Sequence, residues 1–220
     1  METTLEVRWF IKGMPPASVQ RWFRLECPGK FISRSKVRKD WYAALQPESK
    51  FTLKNILTHE LNLQEVNLKF RQGNLELKLK NQELGTHQFG QTSNLRACDG
   101  KVEQWCKYSY FKIDDFVSVK NSVLDTYWIG VDKEREQKTE WGVSSELTWL
   151  KIDREPWWTI AFEMNQSDRL RERSDSYFKK VVARACRTYH GPKLSARNSF
   201  GYSRWLLELT PSTTPYSDLW

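Results

Sequence analysis

Residues 66–80 spell out a β-hairpin whose arms are each apolar on one side and charged on the other, a pattern that belongs to an antiparallel sheet. In the first arm Val66, Leu68 and Phe70 alternate with Asn67, Lys69 and Arg71; in the second Leu75, Leu77 and Leu79 alternate with Glu76, Lys78 and Lys80. Successive strand side chains point to opposite sides, so a period of two sorts these residues onto two faces. Gln72, Gly73 and Asn74 form the turn, where Gly or Asn accepts the positive φ that tight hairpins require. The charged face either meets bulk water or lines an anion-binding cavity.

The strand texture recurs along the chain. Strands are predicted over 5–12, 32–44, 101–111, 127–139, 143–152 and 157–164, where aromatic and β-branched residues concentrate. Pro15 and Pro16 open a short helix over 17–25, because proline suits a first helical turn. Over 167–187 the period changes: Leu170, Tyr177, Val181 and Ala185 fall on one helical stripe, Phe178 and Val182 widen it, and Ser167 stands at the N-cap. That helix is expected to cover an apolar sheet face. A short helix is expected over 201–209, and 46–62 and 84–94 read as loop, the first with a little helix. Seven or eight strands at hairpin spacing make a barrel or a sandwich. No shift in composition divides the chain, so 1–220 reads as one domain with 186–220 as a C-terminal extension.

Charge follows the strands. Glu6 and Arg8 share a face of the first strand, Glu103 and Lys107 share one with Trp105 between them, and Lys133 and Arg135 share another. On an ordinary sandwich such faces are solvated. If the strands close into a barrel whose apolar side sits under helices, the arrangement is inverted, with a polar interior and a packed outer wall. Arg34, Lys36 and Arg38 put three more cations on one strand face, either on that interior wall or outside it for nucleic acid. The excess of 35 Lys and Arg over 27 Asp and Glu gives a net charge of +8, which favours anionic partners. No stretch approaches the ~20 apolar residues that span a bilayer, and the first residues lack the basic and apolar regions of a signal peptide, so a cytoplasmic protein without a membrane partner is expected.

Other chemistry is poorly supported. Cys27, Cys98, Cys106 and Cys186 are scattered, without the spacing of a zinc site or a disulfide framework, and read as free buried thiols. His59, His87 and His190 are equally dispersed, and no catalytic residue is assigned. The eleven tryptophans are spread through the strands and read as core more than as a stacking platform for bases. The run 169–173 is basic but contains acid and reads as a solvated helix face.

The order of short motifs resembles the CYTH family of the triphosphate tunnel metalloenzyme superfamily over roughly residues 1–185. The motifs are Leu5-Glu6-Val7-Arg8-Trp9-Phe10, Lys69-Phe70-Arg71, Leu75-Glu76-Leu77-Lys78, Lys133-Glu134-Arg135, Glu146-Leu147-Thr148 and Ile160-Ala161-Phe162-Glu163. The resemblance implies an α+β fold: an antiparallel eight-stranded barrel or tunnel with a charged interior and helices packed on the outside. It implies that Arg8, Lys69, Arg71, Lys78, Lys80, Lys107, Lys133 and Arg135 bind a triphosphate or polyphosphate, and that Glu6, Glu76, Glu146 and Glu163 hold Mg²⁺ or Mn²⁺. Arg and Lys on opposing walls suit a phosphate chain, and hard divalent ions take carboxylate oxygens.

The motifs also depart from the family. Its first strand usually reads E-x-E-x-K, whereas the face carrying Glu6 continues with Arg8 and Phe10; its closing E-x-E is replaced by Ala161 and Glu163. Two function classes follow: a metal-dependent phosphohydrolase acting on a triphosphate or polyphosphate, and a non-catalytic protein that binds a phosphorylated ligand or RNA on the same scaffold. The missing carboxylates favour the second.

Overall fold

Alternation with a period of two gives this chain two sheet faces, and closing the sheet on itself puts one face inside and the other outside. The computed structural model describes residues 2–44, 65–90, 98–112, 127–166 and 171–209. Expectations for 46–62, 91–94, Ser167, Leu170, His59 and the side chains of 169–173 lie outside the described residues. The elements run β1 (Glu2–Lys12), α1 (Ala17–Leu25), β2 (Lys30–Arg34), β3 (Arg38–Ala44), β4 (Val66–Arg71), β5 (Asn74–Phe89), β6 (Cys98–Lys112), β7 (Tyr127–Glu140), β8 (Val143–Ile152) and β9 (Glu155–Asn165). Helix α2 (Arg171–Arg187), a 3₁₀ turn (Ala196–Asn198) and helix α3 (Tyr202–Leu209) follow.

Every pairing is antiparallel. The order β7-β3-β4-β5-β6-β1-β9-β8 closes into an eight-stranded barrel when β8 pairs back onto β7. This is the antiparallel eight-stranded barrel that the resemblance implies, with α1 and α2 on the outside as expected and α3 entering one end instead. Among the described residues no helix is long and apolar enough to cross a membrane.

Two expectations are corrected. The strand read over 32–44 is two strands laid along the same side of β7: β3 pairs with 127–133 and β2 with 136–139. A bulge between Phe31 and Ser33, and the Ser35 hydroxyl accepting the Arg135 amide at 2.9 Å, replace the regular ladder between them. The loop read at 84–89 is instead the end of β5. Its polar side chains are mostly exposed, so they do not oppose strand formation, while bulges after Lys80 and Glu83 with Gly85 at φ +91° let the ladder resume against β6.

The outer wall is packed as its stripes require. Leu5, Val7 and Trp9 of β1, Leu147 of β8, and Trp158, Ile160 and Phe162 of β9 meet Trp22 and Phe23 of α1 and Phe178, Val181 and Val182 of α2, all at 1% exposure or less. Each such side chain contributes about 1.5–3 kcal/mol on leaving water. Gly100 makes room for the closest crossing: a Cβ there would lie 2.5 Å from the Trp9 ring, whose Nε1 donates to the Asp99 carbonyl at 2.8 Å.

The inner face divides in two. Toward one end it is apolar, where Phe10, Tyr42, Ile129, Val131 and Leu150 surround Tyr202, Trp205 and Leu206 of α3. Phe10 stacks on Trp205 at 4.6 Å and Tyr42 on Tyr202 at 5.2 Å. The helix expected over 201–209 is therefore a stopper set into the barrel. Gly201 lets it start close to the wall, since a Cβ there would meet the Trp105 ring at 2.6 Å. Trp205→Ala is expected to lower the unfolding free energy by about 3–5 kcal/mol in urea titrations, the cost of a large cavity that the closed barrel cannot collapse.

Candidate functional site

Beyond the aromatic stopper the interior becomes ionic. On β1 the face that begins with Phe10 continues with Arg8 and Glu6, and on β7 the face of Ile129 and Val131 continues with Lys133 and Arg135. The strands converge on a pocket of about 140 Å³ that contains eleven of the twelve residues assigned from sequence. Arg8, Lys69, Arg71, Lys78, Lys107, Lys133 and Arg135 line it with Glu6, Glu76, Glu146 and Glu163; Tyr202 of α3 lies at its floor. With Arg38, the lining holds eight cations and four carboxylates, an excess of four positive charges.

Lys80 is the residue that does not join them. Its ammonium lies beside a second cavity, 2.7 Å from Glu103 and 2.9 Å from Glu65. Burial and the nearby Glu65 and Glu6 carboxylates push Glu103 up to about 7 against the pull of Lys80. The other oxygen of Glu65 accepts from Ser203 of α3 at 3.0 Å, so this cluster ties the stopper to the wall.

Inside the pocket each carboxylate is held by basic side chains. Arg8 Nε donates to Glu6 Oε1 at 2.7 Å, and Arg8 Nη2 lies 3.5 Å from Glu146 Oε2. Arg135 donates to Glu146 Oε1 at 2.6 Å. Lys78 lies 2.9 Å from Glu163 and 3.4 Å from Glu6, while Lys69, at 2.8 Å, and Arg71 both hold Glu76. Burial alone would raise Glu6, but Arg8 and Lys78 bring it down to about 2; Glu76 and Glu146 are likewise lowered by their cations despite burial. Burial opposes the charge on Lys78 as well, and Glu163 and Glu6 outweigh it and raise that lysine.

Two lysines behave differently. Burial lowers Lys69 to about 8 in spite of Glu76. Burial also lowers Lys133 to about 7: Asp40 pulls the other way, and Arg8 adds repulsion. The Lys133 ammonium lies 4.2 Å from the centre of the Tyr202 ring, 3.4 Å from the Tyr42 hydroxyl and 4.0 Å from Asp40. The two tyrosines bury the ammonium, and that burial outweighs the pull of Asp40.

Sequence reading missed part of this floor. Arg38, Asp40 and Tyr42 share one strand face, a period-two signal that was legible once Arg38 had been singled out; Arg38 lines the pocket and pairs with Asp40 at 3.0 Å. Arg34 does not follow it inward: it is exposed, bonded to Glu134 at 2.7 Å. Tyr202 carried no signal, because nothing local distinguishes an aromatic that plugs a barrel from one that packs on its surface.

The four glutamates are the acids of the pocket that could hold a metal. Glu6 and Glu163 face each other in the β1–β9 ladder, but among the described residues no three His, Cys, Asp or Glu side chains converge as metal ligands. Mg²⁺ needs about six oxygens in near-octahedral array. Oxygens already committed to ammonium and guanidinium groups do not supply it, so the donor set as folded does not fit a divalent ion.

No family model matches the chain, and no curated protein matches it. A conserved hypothetical protein from Pyrococcus furiosus has a similar fold, with a TM-score of 0.50 at 13% identity over 94% of this chain and 99% of that one. The PH1819 protein of Pyrococcus horikoshii OT3 aligns with a TM-score of 0.48 at 12% identity, covering 94% and 99% of the two chains. The Pct1 RNA triphosphatase of S. pombe, solved in complex with the Spt5 CTD, aligns with a TM-score of 0.46 at 11% identity over 86% of each chain.

Arg8 is the hub of the buried network, at 5% exposure between two carboxylates. Arg8→Ala is expected to destabilise the fold by about 3–5 kcal/mol, since it leaves Glu6 and Glu146 short of a buried partner. Thermal or urea unfolding of the variant measures it, and a loss under about 1 kcal/mol would contradict the network.

Proposed function

We propose that the chain binds the phosphate chain of a triphosphate- or polyphosphate-containing ligand in the closed-off cationic pocket. The observation that carries this reading is the excess of four positive charges facing inward from several walls. A triphosphate is a polyanion, so its sign complements that excess. Arg and Lys on opposing walls form charge-assisted hydrogen bonds to phosphate oxygens, and the restricted water raises each above its surface value. Because α3 fills the far end, the chain enters from one side with its terminal phosphate leading toward Arg8 and Lys133. Whatever carries the phosphates, a nucleotide or an RNA end, remains at the mouth.

A second reading, hydrolysis of the same phosphate chain with Mg²⁺ or Mn²⁺, draws on the direct pairing of Glu6 with Glu163. It requires both carboxylates to leave Lys78. Phosphate release from tripolyphosphate and nucleoside triphosphates, measured with each metal and with Glu163→Ala as control, separates the two. Binding without release supports the first reading; metal-dependent release lost in the variant supports the second.

Two further outcomes are expected. Arg135→Ala weakens tripolyphosphate binding about tenfold, the loss of one charge-assisted hydrogen bond, as read by calorimetry; unchanged affinity would count heavily against the pocket. The second concerns pH. Arg8 and Arg38 disfavour the charge on Lys133, Asp40 and Glu146 favour it, and the Tyr42 hydroxyl and Tyr202 ring complete its surroundings. A bound polyanion favours the ammonium, so Lys133 takes up a proton on binding wherever it is neutral in the free protein. Affinity is therefore expected to fall as pH rises from about 7 to 9, with proton uptake visible in buffers of different ionisation enthalpy. Lys133→Met should remove that component of the uptake, and equal uptake in both proteins would refute its assignment.

A further inference from the structure

The acids of the pocket do not act as free ligands, and the way one pair is neutralised has a consequence for what the pocket needs in order to bind. Glu6 on β1 and Glu163 on β9 are cross-strand partners on the inward face. Between their carboxylates stands the ammonium of Lys78, which reaches in from β5, 2.9 Å from Glu163 Oε1 and 3.4 Å from Glu6 Oε2. The second oxygen of Glu6 is taken by Arg8 Nε at 2.7 Å. We propose that Lys78 is a built-in counter-cation, standing where a divalent ion would bridge Glu6 and Glu163, so that the pocket binds a phosphate chain without metal.

The chemistry of the ammonium supports this. A metal between two carboxylates and a polyphosphate does two things: it cancels the acids' repulsion of the incoming anion, and it offers positive charge to the phosphate oxygens. An ammonium carries three N–H donors and no acceptor. Lys78 directs two of them at Glu6 and Glu163, which leaves the third for a phosphate oxygen. Beside it in the β5–β6 ladder is Lys107, which also lines the pocket and has no ion-pair partner among the described residues. The remaining acids are covered in the same way, Glu146 by Arg135 and Arg8, and Glu76 by Lys69 and Arg71. The repulsion that a metal would relieve is already relieved by side chains. A lysine is a compact, strongly hydrated point charge and so can share carboxylate and phosphate without the planar fork that fixes arginine.

The inference rests on the phosphate-chain reading and is tested together with it. Calorimetric titration of the full chain with tripolyphosphate, in EDTA and in Mg²⁺ at matched ionic strength, is expected to give affinities within about threefold of each other, since Lys78 supplies the bridging charge in both. Lys78→Ala is expected to lose about tenfold or more in EDTA, one charge-assisted hydrogen bond and a counter-charge, and to recover in Mg²⁺ as the freed Glu6 and Glu163 accept the ion. Lys78→Arg keeps the charge and is expected to stay metal-independent. Wild-type binding that appears only with Mg²⁺ would overturn this inference and leave the phosphate-chain reading standing. Equal metal-free affinity of wild type and Lys78→Ala would overturn it as well. Absence of binding by the wild type under both conditions would remove the reading and the inference together. The wild-type comparison decides the matter even if the alanine variant does not fold.

Discussion

Burying charge is costly unless each ion finds a partner, and that constraint organises the inside of this barrel. Arg8 spans Glu6 and Glu146, Lys78 spans Glu163 and Glu6, and Glu76 is shared by Lys69 and Arg71. Breaking any buried pair leaves an uncompensated charge, whereas the intact set is close to neutral in its effect on stability. The net stabilisation of the fold therefore comes from its apolar contacts, outside where β1, β8 and β9 meet α1 and α2 and inside where the aromatic stopper of α3 meets the wall. Relative to an ordinary sandwich the arrangement is inverted, with a packed outer wall and an interior shared between an aromatic stopper and buried charge.

The aromatic stopper sharpens the electrostatics. Tyr202 presents its ring to both Lys133, at 4.2 Å, and Arg8, at 4.9 Å. A ring face attracts a cation without cancelling its charge as a carboxylate does. The stopper also excludes water from the deepest part of the pocket, which lowers Lys133 to about 7.

How much of this was legible depends on whether the information is local. The alternation of Lys69 and Arg71 with Leu68 and Phe70, or of Lys133 and Arg135 with Glu134, is a local signal that survives into the fold, and eleven of twelve assigned residues share one pocket. Lys80 shared the same strand face and the same alternation; it opens instead on a second cavity lined by Arg204 and Glu208 of α3, a helix more than 100 residues away in the chain. Tyr202 was missed because its importance is created by what tertiary closure places against it, whereas Asp40 lay on the legible strand face of Arg38. The break between β2 and β3 and the extension of β5 to Phe89 were also non-local, decided by ladders with β7 and β6.

A ring of strands has no outermost member, and among the described residues this one leaves only β2 beyond the circle. All five of its residues are exposed, Phe31 and Ile32 among them, and among the described residues only one of its sides is paired, to β7. An unsatisfied row of amides and carbonyls invites another chain to add a strand. The segment carries several deterrents: it is short, it is bulged at its centre, and Lys30 and Arg34 stand at its two ends. Among the described residues, the edge that the circle leaves open thus carries its own protection against strand addition.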